Sequence, residues 1–157
     1  MKRTAFLIIG ATAAFAAMAS ADTVAPGDVA FDDYGGVAAS LTGVAGDAAN
    51  GEKVMVTKSL GNCIACHQVS VLDYAAFHGE IGPSLDGVGD RWTEEELRGI
   101  VTNAKMTFDE SLMPAMYKVS GFIRPGDFKG KAVPNPPSIL TAQQVEDVVA
   151  FLMTINE

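Results

Sequence analysis

Cys63, Cys66 and His67 stand together in the string Gly61-Asn62-Cys63-Ile64-Ala65-Cys66-His67, and no other residues of the chain are so plainly arranged for chemistry. Two thiols separated by two residues on a short helical turn can each add to one of the two vinyl groups of haem, and the imidazole that follows is carried beneath the iron. One short string then supplies two covalent bonds and one axial ligand. Other chemistries use the same pair. A small disulfide is compatible with an oxidising compartment but gives His67 no task. A redox-active dithiol belongs in a strand-helix-strand setting and again leaves the histidine idle. A structural zinc ion needs four Cys or His ligands, and this chain, with two Cys and two His, would have to spend all of them, the neighbours Cys66 and His67 included. Covalent attachment of one haem through Cys63 and Cys66, with His67 on the iron, uses the whole string.

What binds the opposite face of the iron decides between electron transfer and ligand chemistry, since a thioether closes the site and raises the reduction potential. His78 lies in a stretch, residues 69–80, that has no clear period, and it reads as an exposed loop histidine. Beyond residue 21 the methionines are Met55, Met106, Met113, Met116 and Met153. Met55 and Met153 fall in helical patterns and read as core fillers. Met113 precedes Pro114, and proline holds the residue before it in extended geometry, so this part of the backbone is expected to be a strap able to present a thioether. Met116, three residues on, competes with it.

The elements that must position these groups are helical. Thr93 with Glu96 forms a capping box, acidic residues fill the following turn, and Leu97, Ile100, Val101 and Ala104 repeat at helical spacing. Thr141 with Gln144 opens a second such helix, with Val145, Val148, Val149 and Leu152 on one face. A weaker helix, loosened by Gly51, is expected between Asp47 and Leu60. The stretch from Lys118 to Leu140 carries Pro125, Pro134, Pro136 and Pro137 and is expected to lack regular structure. No strand alternation or internal repeat is visible. The expected fold class is all-α, a few helices wrapped on one haem.

Lys2 and Arg3, an apolar stretch from Ala5 to Met18 and the small triplet Ala19-Ser20-Ala21 have the layout of a cleaved signal peptide, too short to span a bilayer. The organisation expected is therefore a signal peptide at 1–21, a Gly, Ala and Asp-rich arm at 22–46, loosely held, and a haem domain at 47–157, exported and not inserted in a membrane. With 11 basic and 19 acidic residues and a net charge of −8, the chain lacks the basic patch that nucleic acid demands.

The cysteine string, the run Gly82-Pro83-Ser84-Leu85-Asp86-Gly87-Val88-Gly89-Asp90-Arg91, the pair Met113-Pro114 and the terminal helix together resemble a class I cytochrome c over most of residues 47–157. That resemblance implies that the Pro83 carbonyl accepts a hydrogen bond from the non-iron nitrogen of His67, which fixes the ring, and that Met113 is the second axial ligand. The strings Met113-Pro114-Ala115-Met116-Tyr117-Lys118-Val119 and Leu140 to Leu152 are similar to the SoxX family, the monohaem subunits of the SoxAX complexes of sulfur-oxidising bacteria. Met116 departs from that pattern, which has an aromatic residue there. The resemblance implies a periplasmic electron-transfer subunit of a thiosulfate-oxidising enzyme, a haem-containing L-cysteine S-thiosulfotransferase. Its SoxA-type partner would join thiosulfate to a cysteine of the carrier SoxYZ, and a further cytochrome would take the electrons. No substrate site is expected on this chain. The alternative is a freely diffusing electron shuttle.

Overall fold

The computed structural model describes residues 23–122, 133–134 and 136–157. The expected signal peptide, and the central part of the proline-containing stretch with Pro125, lie outside these. Among the described residues all regular structure is helical: α1 (Ala48–Val56), α2 (Val88–Arg91), α3 (Glu94–Asn103) and α4 (Ala142–Leu152), with 3₁₀ turns at Cys63–Ala65, Ser70–Leu72 and Ala104–Met106. No helix among them is long and apolar enough to cross a membrane.

Both expected capping boxes are present. At α3 the N–H of Glu96 donates to Thr93 Oγ1 at 3.3 Å and the N–H of Thr93 to Glu96 Oε2 at 2.8 Å. At α4 the N–H of Gln144 donates to Thr141 Oγ1 at 3.2 Å, with the reciprocal bond to Gln144 Oε1 at 2.9 Å. Two donors that would otherwise face the helix end unpaired are thereby satisfied. The apolar stripe of α4 is sunk in the core, with Val145, Val148, Val149 and Leu152 all buried. Each such side chain stabilises the fold by about 1.5–3 kcal/mol relative to exposure. On α3, Leu97 and Val101 are buried and Ile100 is half-buried, and Ala104, on the 3₁₀ turn that follows, is buried too.

α1 is shorter than the expected span because the chain leaves it at Thr57 to reach the cysteine turn. Asp47 caps it, accepting from the N–H groups of Ala49 and Asn50. Gly51, which weakens the helix by propensity, turns out to be what lets α1 cross α4: a Cβ at that position would run into the backbone carbonyl of Asp147 and the Cβ of Phe151. The half-polar seam beside that crossing is satisfied. The Asp147 carboxylate accepts from the N–H of Asp47 at 2.8 Å, from Asn50 Nδ2 at 2.5 Å and from Gln143 Nε2 at 2.9 Å.

The segment 23–46 is not loosely held. It has no regular structure, yet Val37 and Leu41 are buried in the core. Its backbone groups are answered from far along the chain: the N–H of Leu41 donates to Glu146 Oε1 at 2.7 Å, Arg98 Nη1 donates to the carbonyl of Val37 at 2.9 Å, and Tyr117 Oη donates to the carbonyl of Val24 at 2.7 Å. Arg98 Nε reaches both Glu146 oxygens, at 3.0 and 3.1 Å, with both side chains buried. Glu94 takes the remaining end of the guanidinium. A low-complexity segment is thus pinned by a desolvated ion pair, a contact that composition could not signal.

Candidate haem site

The cysteine turn hangs from the end of α1. The N–H of Asn62 donates to the carbonyl of Val54, and Asn62 itself is in the left-handed region at φ 47°, one of the few side chains that tolerates it. The chain then tightens into the 3₁₀ turn Cys63–Ala65, whose Cys63 carbonyl accepts from the N–H groups of both Cys66, at 3.1 Å, and His67, at 3.0 Å. Cys63, Cys66 and His67 therefore share one short, hydrogen-bonded turn, as their spacing demands. Ile64, between the cysteines, is buried and anchors the turn in the core.

The loop after the turn folds back beneath it. The N–H of Gly79 donates to the carbonyl of Ile64 and that of Gly82 to the carbonyl of Cys66, both at 2.8 Å. This return carries Pro83 to His67, where Nδ1 lies 2.7 Å from the Pro83 carbonyl. A carbonyl can only accept, so Nδ1 must carry the proton, and in the neutral ring Nε2 then presents its lone pair. Gly82 lies flat against the same ring: a Cβ there would fall on the imidazole. The run from Gly82 to Arg91 braces the loop. Ser70 donates to Asp86 through its N–H and its hydroxyl, both at 2.7 Å, and Arg91 bonds the carbonyls of Ser84, at 3.0 Å, and Asp86. The partners of Asp86 and Arg91 lie five to sixteen positions away, so their roles cannot be seen in the sequence around them.

His78 is not an exposed loop residue. It is half-buried, its Nδ1 accepts from the N–H of Val69 at 3.1 Å, and its Nε2 is buried without a partner among the described residues. A ring that accepts at Nδ1 is neutral, and it serves as a strut of the loop.

The methionine strap is as expected from Pro114: residues 111–122 contain no helix. Met116 is buried in the core at 5% exposure, its carbonyl accepting from the N–H of Leu140, while the next N–H, of Tyr117, donates to the carbonyl of Thr102. Met113 is half-buried against the same core. Met55 is fully buried and Met153 packs on the core, so both act as fillers.

These residues fit a covalently held haem. Burial pushes the Cys63 thiol up to about 11, the reverse of the lowered thiol that redox-active pairs need. Desolvation of Cys63 outweighs the backbone hydrogen bond that favours its thiolate, whereas His67 is held in the one tautomer that offers Nε2 to a metal. Leu60, Leu85, Trp92 and Met113 are partly buried apolar side chains packed against the core.

The cytochrome c family model matches residues 48–156. This chain belongs to the cytochrome c family. Among solved structures, the crystal structure of SoxXA from P. pantotrophus contains a chain 56% identical, covering 87% of this chain and 100% of that one, with a TM-score of 0.83. Within the cytochromes c the chain is therefore of the SoxX type, and its fold is the all-α class I fold. The c-type cytochrome SorU from Sinorhizobium meliloti is 24% identical over 69% of this chain and 88% of that one, at a TM-score of 0.43, too remote to bear on function. Comparison with curated proteins gave no match. As a cytochrome c the chain carries covalently bound haem c and transfers electrons.

Proposed function

We propose that this cytochrome c is the electron-transfer subunit of a SoxAX-type complex in the periplasm. It carries a single haem c, attached through Cys63 and Cys66, with His67 and Met113 as axial iron ligands. The SoxA-type partner joins thiosulfate to a cysteine of SoxYZ, this subunit takes up the electrons released, and a downstream cytochrome receives them. The observation that supports this most strongly is the 56% identity to a chain of SoxXA across that chain's whole length.

When bound, the haem supplies a one-electron ferric–ferrous couple. The rest is done by this chain's own groups. The turn at Cys63–Ala65 holds both thiols and the imidazole within one hydrogen-bonded unit. The Pro83 carbonyl keeps the proton of His67 on Nδ1, fixing the ring and making Nε2 a stronger donor to iron. Met113 is favoured over Met116 because the buried Met116 already serves the core. With Cys63 and Cys66, the chain's two cysteines, engaged by haem, no thiol is left to act as a nucleophile.

Co-expression with a SoxA-type subunit tests this reading. The two chains should purify together, and thiosulfate with SoxYZ should reduce the haem of this one. A chain that stays monomeric beside the coexpressed partner and is not reduced would favour a free electron shuttle.

A further inference from the structure

The segment that bears Met113 is tied down by one side chain from outside it. Lys105, on the 3₁₀ turn Ala104–Met106 that ends α3, places Nζ 2.6 Å from the carbonyl of Ser111 and 2.9 Å from the carbonyl of Met113. The N–H of Met113 donates to Ser111 Oγ at 3.2 Å. Both backbone polar groups of Met113 are thus engaged, and Pro114 limits the backbone rotation that remains. An ammonium bridging two carbonyls two residues apart closes the strap into a small ring on the end of α3. Such charge-assisted bonds are stronger than neutral ones. The far end of the strap is held independently, by Tyr117 to Thr102 and Leu140 to Met116. Lys105 is the only side chain among the described residues that bonds the carbonyl of Met113.

We propose that Lys105 is a positioning residue for the axial thioether, holding the strap so that Met113 remains on the iron and foreign ligands are kept off. The inference rests on Met113 being the ligand. A strong external base reaches ferric iron only when the thioether has left, so its apparent affinity reports the fraction of molecules with the strap released. Lys105 is exposed and its removal leaves the core packing untouched.

The experiment titrates imidazole into the ferric, haem-loaded protein and follows the absorption band that sulfur ligation gives the ferric iron. Lys105→Leu should bind imidazole roughly tenfold more tightly, the fold-change expected for losing a charged hydrogen bond at an exposed site. Lys105→Arg, which keeps donors, should recover most of the difference. Met113→Ala should lose the sulfur band altogether. If Met113→Ala loses the band while Lys105→Leu binds imidazole as the unsubstituted protein does, the positioning role is overturned and the ligand assignment stands. If Met113→Ala keeps the band, the ligand assignment falls and this inference with it.

Discussion

The attachment loop, residues 61–86, and the arm, residues 23–46, both lack long helices, but they are fastened differently. In the loop the key bonds span sixteen positions, as from His67 to Pro83 and from Ser70 to Asp86. In the arm they span 61 positions, from Arg98 to Val37, and 105, from Leu41 to Glu146. The loop builds the surroundings of one imidazole from its own residues. The arm borrows a buried ion pair from two helices. The first arrangement makes chemistry depend on local geometry, and the second makes stability depend on remote charge.

Removing one member of the ion pair should therefore be the most damaging change to the arm and among the least damaging to the haem site. Arg98→Met leaves Glu146 buried and unpaired, which should cost about 3–5 kcal/mol in chemical denaturation. Haem should remain covalently attached after acidic organic extraction. A loss below about 1 kcal/mol would mean that the ion pair contributes little to holding the arm.

The reverse test is Gly82→Ala, which puts a methyl group on the His67 ring. Overpacking of this kind should destabilise by about 1–3 kcal/mol, and His67 should shift enough to alter the haem spectrum while protease resistance of the arm is unchanged. An unaltered spectrum would show that the loop yields without moving the ring. A smaller effect is expected from Tyr117→Phe, which deletes only the bond to the Val24 carbonyl. About 1 kcal/mol should be lost, and proteolysis should begin near residue 24; equal stability with an intact arm would remove this bond from the account.

The same contrast explains what could be read from the sequence. That Cys63, Cys66 and His67 share one short turn was legible because their spacing fits a single turn of helix, and the two capped helices were legible because capping and apolar period act over three or four residues. Pro83 was legible only through resemblance, since nothing in its neighbours says that a loop returns to His67. The fastening of the arm is not legible, because Gly, Ala and Asp carry no sign of Arg98 and Glu146 waiting some sixty to a hundred residues away. Lys105 escaped notice because its partners are backbone carbonyls, which every residue has. Gly51 was read by its helix propensity, whereas the close passage of α4 decides its role.

The mildest test concerns acid and falls on the loop alone. Asp86 has its carboxyl held below the usual carboxylate range, first by the N–H of Ser70, then by the Ser70 hydroxyl, with smaller help from Ser84 and Arg91. The folded chain thus favours the ionised form more than the unfolded chain does. The resulting stabilisation is complete above the ordinary carboxylate pKa, near about 4, and disappears as pH falls through the lower folded value. Asp86→Asn has no charge to titrate, so its deficit relative to the unsubstituted protein should be constant from about pH 7 to about pH 5 and should narrow toward about pH 3. Denaturation at a series of pH values checks this. A deficit that stayed the same down to the lowest pH would mean that Ser70 binds the side chain for its shape, with the charge contributing nothing to how the loop is closed under His67.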